Sequence, residues 1–295
     1  MKKIKMKSDV GKMIEISSSR LKIIIDSFGA ELSSIKDNND TQYLWQADPA
    51  VWKRHAPVLF PFISGLKDGK YTYNGKEYHI ASHGFARDMN HDLVSKNENT
   101  AIFSLKSNNK TAELYPFDFE LLTTYSVNEN SLRITYTVIN NDNKNMYFYI
   151  GGHTGFNCPI TPNDSFDDYY IEYEKNETIV QDLPDGNKRT LLKNERILPI
   201  THQLFDNDYF CIDYPKSAFV SLKSRKSDRQ VKLDFQGCDC IAVWSPKGEA
   251  PFVCLEPWSS TPSACDKEED LAKKARAKML KPNEKYDFSF TVTII

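Results

Sequence analysis

Eight stretches of this chain alternate apolar and polar residues with a period of two: 20–26, 70–80, 100–107, 119–127, 131–140, 145–152, 218–224 and 286–295. Each is short, rich in β-branched and aromatic side chains, and bounded by Asn, Asp, Gly or Pro. A period of two sends successive side chains to opposite faces of a strand, so each stretch has one face to bury. Strands follow one another without helices between them. That excludes a βαβ layout and points to an all-β fold of antiparallel sheets packed as a sandwich, with few short helices. No repeat of about 20–50 residues and no low-complexity linker divides the chain, so a single domain over 1–295 is expected. With 40% apolar residues there is ample material for its core.

Local signals refine this picture. Asn74-Gly75 lies between two alternating runs, and a type I′ turn needs positive φ at both central residues, which this pair tolerates best. "VNEN" at 127–130 reads as a second hairpin connection. "DKEEDLAKKARAKML" (266–280) has an acidic start and a basic end that suit a helix dipole, so a short helix is expected there.

Charge and cysteine usage narrow the partners. Thirty-eight basic and forty acidic residues leave a formal charge of −2 with no long single-sign block, which disfavours nucleic acid and anionic membranes. "MKKIKMKSDV" is basic but lacks the apolar stretch of an export signal, and no run is long enough to span a bilayer. The six cysteines, Cys158, Cys211, Cys238, Cys240, Cys254 and Cys265, form no C-x-x-C pair. They read as free and mostly inert thiols in a reducing, cytoplasmic setting. Asn39, Asn163 and Asn176 sit in sequons that matter only in a secreted protein and carry no weight here.

Three places have the makings of chemistry. His83 lies in "ASHGFARD" (81–88), in a turn held by Gly84. His153 lies in "YIGGHTGFNCP" (149–159), where glycines allow the backbone to turn sharply and approach a ligand. Glu256, in "FVCLEPWSS" (252–260), follows four apolar residues and so falls where burial is expected. A buried carboxylate is costly unless paired or working, and its pKa rises toward that of a useful base. Trp258 beside it offers a flat face on which a sugar ring can stack. The competing structural readings are a turn histidine, an edge-strand glutamate and a core tryptophan.

The segments "HGFARD", "GGHTGFNCP" and "LEPW", with "PVLFPFISGLKDGKYTYNGKEYHI" upstream, resemble the aldose 1-epimerase (galactose mutarotase-like) family, in its bacterial LacX-type branch. The resemblance runs from about residue 44 to the end of the sequence. It implies a large antiparallel β-supersandwich, Glu256 as general base, His153 as general acid, and His83 as a sugar-binding partner near the ring oxygen. One departure is plain: where the family carries an arginine, this chain has Ser64-Gly65, which leaves Lys67, Arg54 or Arg87 to supply the charge. The family's substrate-binding aspartate falls within "LFDNDYF" (204–210), and Asp208 is preferred over Asp206.

The chemistry that the resemblance implies needs neither cofactor nor metal. Interconverting the α and β anomers of a hexose requires loss of the O1 proton, protonation of the ring oxygen, rotation about C1–C2 and reclosure. From reference pKa values near 4.3 and 6.5, an ionised Glu256 and a protonated His153 coexist between those limits. A metal set at His79, His83 and His91 lacks a completing ligand, and no G-x-S-x-G elbow supports a serine hydrolase. Two other readings stay open: a hexose 6-phosphate mutarotase using Lys53, Arg54, Lys67 and Arg87, and a noncatalytic carbohydrate-binding module. The partner expected is a small sugar, and the chain is expected to act as a monomer or homodimer.

Overall fold

A computed structural model describes residues 11–183 and 185–295. Its largest element is a nine-stranded antiparallel sheet, in the spatial order Lys188–Pro199, Tyr169–Asp182, Phe219–Ser224, Gln230–Asp234, Lys285–Ile294, Ser131–Asn140, Phe119–Asn128, Thr100–Lys106, Asp92–Lys96. Facing it is a six-stranded sheet ordered Phe210–Asp213, Cys240–Trp244, Phe252–Trp258, Gly151–Gly152, Val58–Leu59, with Thr154–Asn157 also paired to Phe252–Trp258. A three-stranded sheet, Met13–Ser17, Leu21–Asp26 and Glu31–Asp37, completes the main frame.

The alternation explains how the layers meet. Along Phe119–Asn128 the residues Phe119, Leu121, Tyr125 and Val127 are buried while their neighbours are half-exposed, and Ser131–Asn140 repeats the pattern with Leu132, Ile134, Tyr136 and Val138. Each large apolar side chain so buried contributes about 1.5–3 kcal/mol. The two sheets touch closely where Phe290 faces Gly152: a Cβ on that glycine would come within 2.7 Å of the Phe290 ring. Phe252–Trp258 has no exposed residue at all, which marks it as a strand covered on both faces.

Both expected hairpins form. Asn74 (φ 49°) and Gly75 (φ 73°) link Lys70–Tyr73 to Lys76–His79, and Glu129 (φ 49°) turns Phe119–Asn128 into Ser131–Asn140.

The helix expected over 266–280 does not form. Asp266, Glu268 and Asp270 each use a side-chain oxygen to accept the backbone N–H two residues on, at 2.9–3.1 Å, and such local bonds compete with helical ones. The Leu271 amide instead donates to the Thr72 carbonyl, and the segment ends in the strand Lys278–Leu280, paired with Met146–Phe148. Among the described residues the one α-helix is Asn109–Leu114, capped by the Asn108 side chain. No helix of the described residues is long and apolar enough to cross a membrane.

Candidate active site

Register brings His153 and Glu256 together. Gly151 pairs with Trp258 on one side of the histidine and Thr154 pairs with Leu255 on the other, so His153 is the cross-strand neighbour of Glu256. Directly opposed residues share a face of the sheet, and the imidazole Nε2 lies 3.3 Å from the carboxylate Oε2. The glycines preceding His153 are there for contact: a Cβ on Gly151 would reach within 2.7 Å of the Trp258 indole, just as one on Gly152 would strike Phe290.

Both groups are buried, Glu256 to 1% exposure and His153 to 7%, and burial acts on them in opposite directions. It pushes the Glu256 carboxyl well above its ordinary value, helped by the negative charge of Asp208. It pushes the His153 imidazole well below its ordinary value, helped by His83 and Arg87. Isolated charges are disfavoured at this depth, so burial works against the ionised carboxylate and protonated imidazole expected from reference values and favours the neutral form of each group.

His83 reaches the same place from a different element. It sits at φ 66° and is followed by Gly84 at φ 71°. A Cβ on Gly84 would fall 2.1 Å from the Phe60 carbonyl oxygen, so only glycine lets this turn press against that strand. The Ser64 amide donates to His83 Nδ1 at 3.0 Å, and the His83 amide donates back to the Ser64 carbonyl at 3.0 Å. Burial and the charges of Arg87 and Arg54 push the His83 imidazole down to about 3. The ring is thus neutral, and its remaining proton lies on Nε2.

Together these groups line a cavity of about 270 Å³ with Trp52, Ser64, Ser82, Arg87, Asp208, Tyr209, Trp244 and Trp258. Trp52 stacks on the His153 ring at 5.0 Å and Trp244 meets it edge-on at 5.4 Å. Asp208, held at φ 71°, accepts a 2.9 Å hydrogen bond from the Trp244 indole. Arg87 donates to the Ser82 carbonyl at 2.7 Å. Burial, with the charge of Arg54, lowers its guanidinium to about 10. Ser64, His83 and Asp208 are all non-glycine residues in the left-handed region. Strain of this kind, about 1–3 kcal/mol each, gathers where a site must be held in shape. Among the described residues Arg87 Nε, Trp258 Nε1 and Glu256 Oε2 are buried without a hydrogen-bond partner, although Arg87 Nε lies 3.7 Å from Asp88 Oδ2 and Glu256 Oε2 lies 3.3 Å from His153 Nε2.

Of the residues expected from sequence, His83, Arg87, His153, Asp208, Glu256 and Trp258 line this cavity, whereas Arg54 and Lys67 do not. Arg54 is tied to Asp88 at 2.7 Å and stands behind Arg87. Lys67 borders a separate cavity with Lys70, Lys267 and Lys274. Trp52, Ser82, Tyr209 and Trp244 were not singled out by sequence.

Other candidates are weaker. A groove of about 700 Å³ passes Asp37, Tyr43 and Arg229, but these satisfy one another: Arg229 bonds Asp37 and Tyr43 at 2.6 Å each. His79 pairs with Glu77 and His91 with the Ala86 carbonyl, so neither joins His83. The Cys254 sulfur lies within 4.8 Å of the His153 and Glu256 polar atoms. Burial holds it as a thiol, so we read that trio as packing.

Comparison with known proteins agrees with this architecture. The family profile described as aldose 1-epimerase matches residues 12–293. The plasmid-encoded protein LacX of Lactococcus lactis subsp. lactis is 33% identical, over 96% of this chain and 99% of its own. Its chromosomal counterpart is 32% identical over the same shares. The crystal structure of a galactose mutarotase related enzyme from Lactobacillus acidophilus superposes with a TM-score of 0.91 at 30% identity, over 96% of this chain and 97% of that one. A galactose mutarotase-like protein from Lactobacillus casei gives 0.89 at 30% identity, over 96% and 100%.

Proposed function

The chain belongs to the aldose 1-epimerase family, and from that premise we propose that it is an isomerase interconverting the α and β anomers of a free hexose by general acid–base catalysis. The observation that carries this reading is the 3.3 Å approach of His153 Nε2 to Glu256 Oε2 at the wall of a cavity of sugar-ring size.

The two oxygens that exchange protons in mutarotation, O1 and the ring oxygen, are attached to one carbon. Two catalytic groups in contact can therefore serve both. The O1 hydroxyl donates to Glu256, which takes its proton. The ring oxygen can only accept, so it requires the protonated His153. Neutral and charge-separated forms of the pair contain the same single proton, so a bound sugar selects the working form without exchange with solvent. Rotation about C1–C2 and reclosure reverse the roles. Each positioned group typically contributes about 10²- to 10⁴-fold.

The remaining side chains hold the ring. His83 donates from Nε2, Arg87 donates toward a hydroxyl, Asp208 accepts, and Trp258 supplies an apolar face. We assign the reaction to the cytoplasm, the reducing compartment in which unpaired thiols persist.

A neutral hexose is favoured over a hexose 6-phosphate. Of Lys53, Arg54, Lys67 and Arg87, Arg87 alone lines the cavity, and a phosphate dianion held by one cation in a buried site that also contains Asp208 is poorly compensated. The test is the decay of optical rotation of fresh α-glucose and α-galactose, with glucose 6-phosphate in parallel. Acceleration over buffer for the free sugars is expected, and none across a panel of hexoses would overturn the proposal.

A further inference from the structure

A polar side chain stands where the largest sheet calls for an apolar one. Along Tyr169–Asp182 the buried positions are Tyr169, Ile171, Tyr173, Glu177, Ile179 and Gln181, and the buried face of a strand ordinarily takes aliphatic or aromatic side chains. Glu177 is accounted for by Ser217, whose amide and hydroxyl both donate to its Oε1 at 2.8 Å. Gln181, 3% exposed, has no such partner for its own oxygen: among the described residues nothing donates to Oε1. Its nitrogen is the occupied end. Nε2 donates to the carbonyls of Asn207, Asp208 and Tyr209 at 3.3, 3.4 and 3.0 Å. Turning the amide over would set an oxygen against three oxygens, so the chemistry of these neighbours fixes its orientation.

Three successive carbonyls do not meet at one nitrogen in an extended chain. They converge here because Asp208 sits at φ 71° with its amide donating to the Phe205 carbonyl at 3.1 Å. That conformation is uncommon outside glycine, and Gln181 is the side chain that spans it. The same turn sets two walls of the sugar cavity. Asp208 Oδ1 accepts from Trp244 Nε1 at 2.9 Å, and Tyr209 meets the Trp258 ring edge-on at 5.8 Å. Gln181 does not line that cavity; it lines an adjoining one of about 320 Å³ together with Asn207, Asp208 and Tyr209. It therefore touches the back of a turn whose front faces the sugar.

We propose that Gln181 is a positioning residue for sugar binding: its amide nitrogen holds the 207–209 turn in the left-handed form that aims the Asp208 carboxylate into the cavity. Trp244 fixes the carboxylate from the side-chain end, and Gln181 fixes it from the backbone end. With both in place Asp208 is held ready to accept from a sugar hydroxyl, and little ordering is left to be done when the ring arrives. Proton transfer at His153 and Glu256 does not pass through this turn, so Gln181 governs KM and leaves kcat alone. The effect on KM rests on the sugar reading of the cavity, whereas the hold on Asp208 does not.

The experiment compares initial mutarotation rates of the native protein and Gln181→Met, in which the side chain keeps its length and loses its donor. KM for α-galactose or α-glucose is expected to rise about tenfold, the scale of one donor removed from buried carbonyls, with kcat within about twofold. In an Asp208→Ala background the same substitution is expected to change KM by less than about twofold, because residues that act through one contact are not additive. A fall in kcat as large as the rise in KM, or effects of the two substitutions that multiply, would mark general damage and overturn the assignment. Should urea denaturation show Gln181→Met to be unfolded, Gln181→Leu, which also lacks the donor, must give the same pattern. Without sugar, the indole N–H resonance of Trp244 in proton–nitrogen NMR is expected to move in either variant as Asp208 shifts away from it, and an unmoved resonance overturns the hold on Asp208. If the native protein accelerates no hexose, the sugar reading fails while the indole resonance still decides the hold.

Discussion

The Ser64 backbone amide donates to Nδ1 of His83 at 3.0 Å, and that single bond fixes which face of the imidazole carries a proton. Nδ1 must accept, so Nε2 bears the hydrogen. With burial pushing the ring down to about 3, it stays neutral at physiological pH. Nitrogen-detected NMR of labelled histidine is expected to show His83 as the Nε2–H tautomer, unchanged between pH 8 and about 5. A cationic ring at pH 6 would remove it as a neutral donor.

Glu256→Gln keeps the shape of the carboxyl group but cannot take a proton. The turnover number is expected to fall about 10²- to 10⁴-fold, while hexose binding measured by tryptophan fluorescence changes little. His153→Gln is expected to lose turnover on the same scale. Wild-type turnover in Glu256→Gln would rule out the carboxyl as base.

The pH dependence follows from the single proton of the pair. Below the lowered value of His153 a second proton binds, and no group is left to accept. Above the raised value of Glu256 the only proton leaves, and no group is left to donate. The kcat/KM profile is therefore a bell, with its acid limb below the ordinary histidine value of 6.5 and its alkaline limb above the ordinary glutamate value of 4.5. A rate that only climbs with pH would mean that a bare carboxylate suffices.

Arg87 and Lys67 separate what the resemblance left joined. Arg87→Ala removes a cation from the cavity and leaves the Ser82 carbonyl without its donor, so KM is expected to rise about tenfold or more. Lys67→Ala changes a side chain on another cavity and is expected to leave KM within about twofold, since an exposed charge at a distance is screened. Equal effects of the two substitutions on initial rates would contradict the placement of the charge at Arg87.

Gly84→Ala tests the turn itself. The added methyl meets the Phe60 carbonyl at 2.1 Å and the residue must hold φ 71°, so a loss of at least about 2 kcal/mol is expected in urea denaturation. An unchanged midpoint would show that the contact is easily relieved.

Strand positions are legible in this sequence because one buried face imposes its period along a whole segment, as in Phe119–Asn128. The segment 266–280 misleads because its acidic residues suit a helix start and serve equally well as acceptors for their own backbone; the contact of Leu271 with Thr72 decides between them. His153, Glu256 and His83 stand out by local chemistry. Which cation reaches the cavity does not, since that depends on how the turn around Gly84 is seated. Trp52 is equally hidden: its loop is held by Glu31, whose carboxylate accepts from the His55 and Ala56 amides. Trp244 carries a usable signal, because alternation puts it on the face of Ala242, the residue opposite Glu256. The charge state of the pair is illegible without burial.

The middle of the broad sheet is filled from far downstream: Ser131 and Thr293, hydrogen-bonded across neighbouring strands, are 162 positions apart. Before that late segment docks, the sheet consists of two portions, each with a raw edge in what will become its interior. The slow loop-closing search this imposes, and the exposure to edge-to-edge association while it lasts, are properties of the topology rather than of any one residue. Gly152 rests on Phe290 of the same late strand, so the neighbourhood of His153 acquires its final shape only when that search has ended.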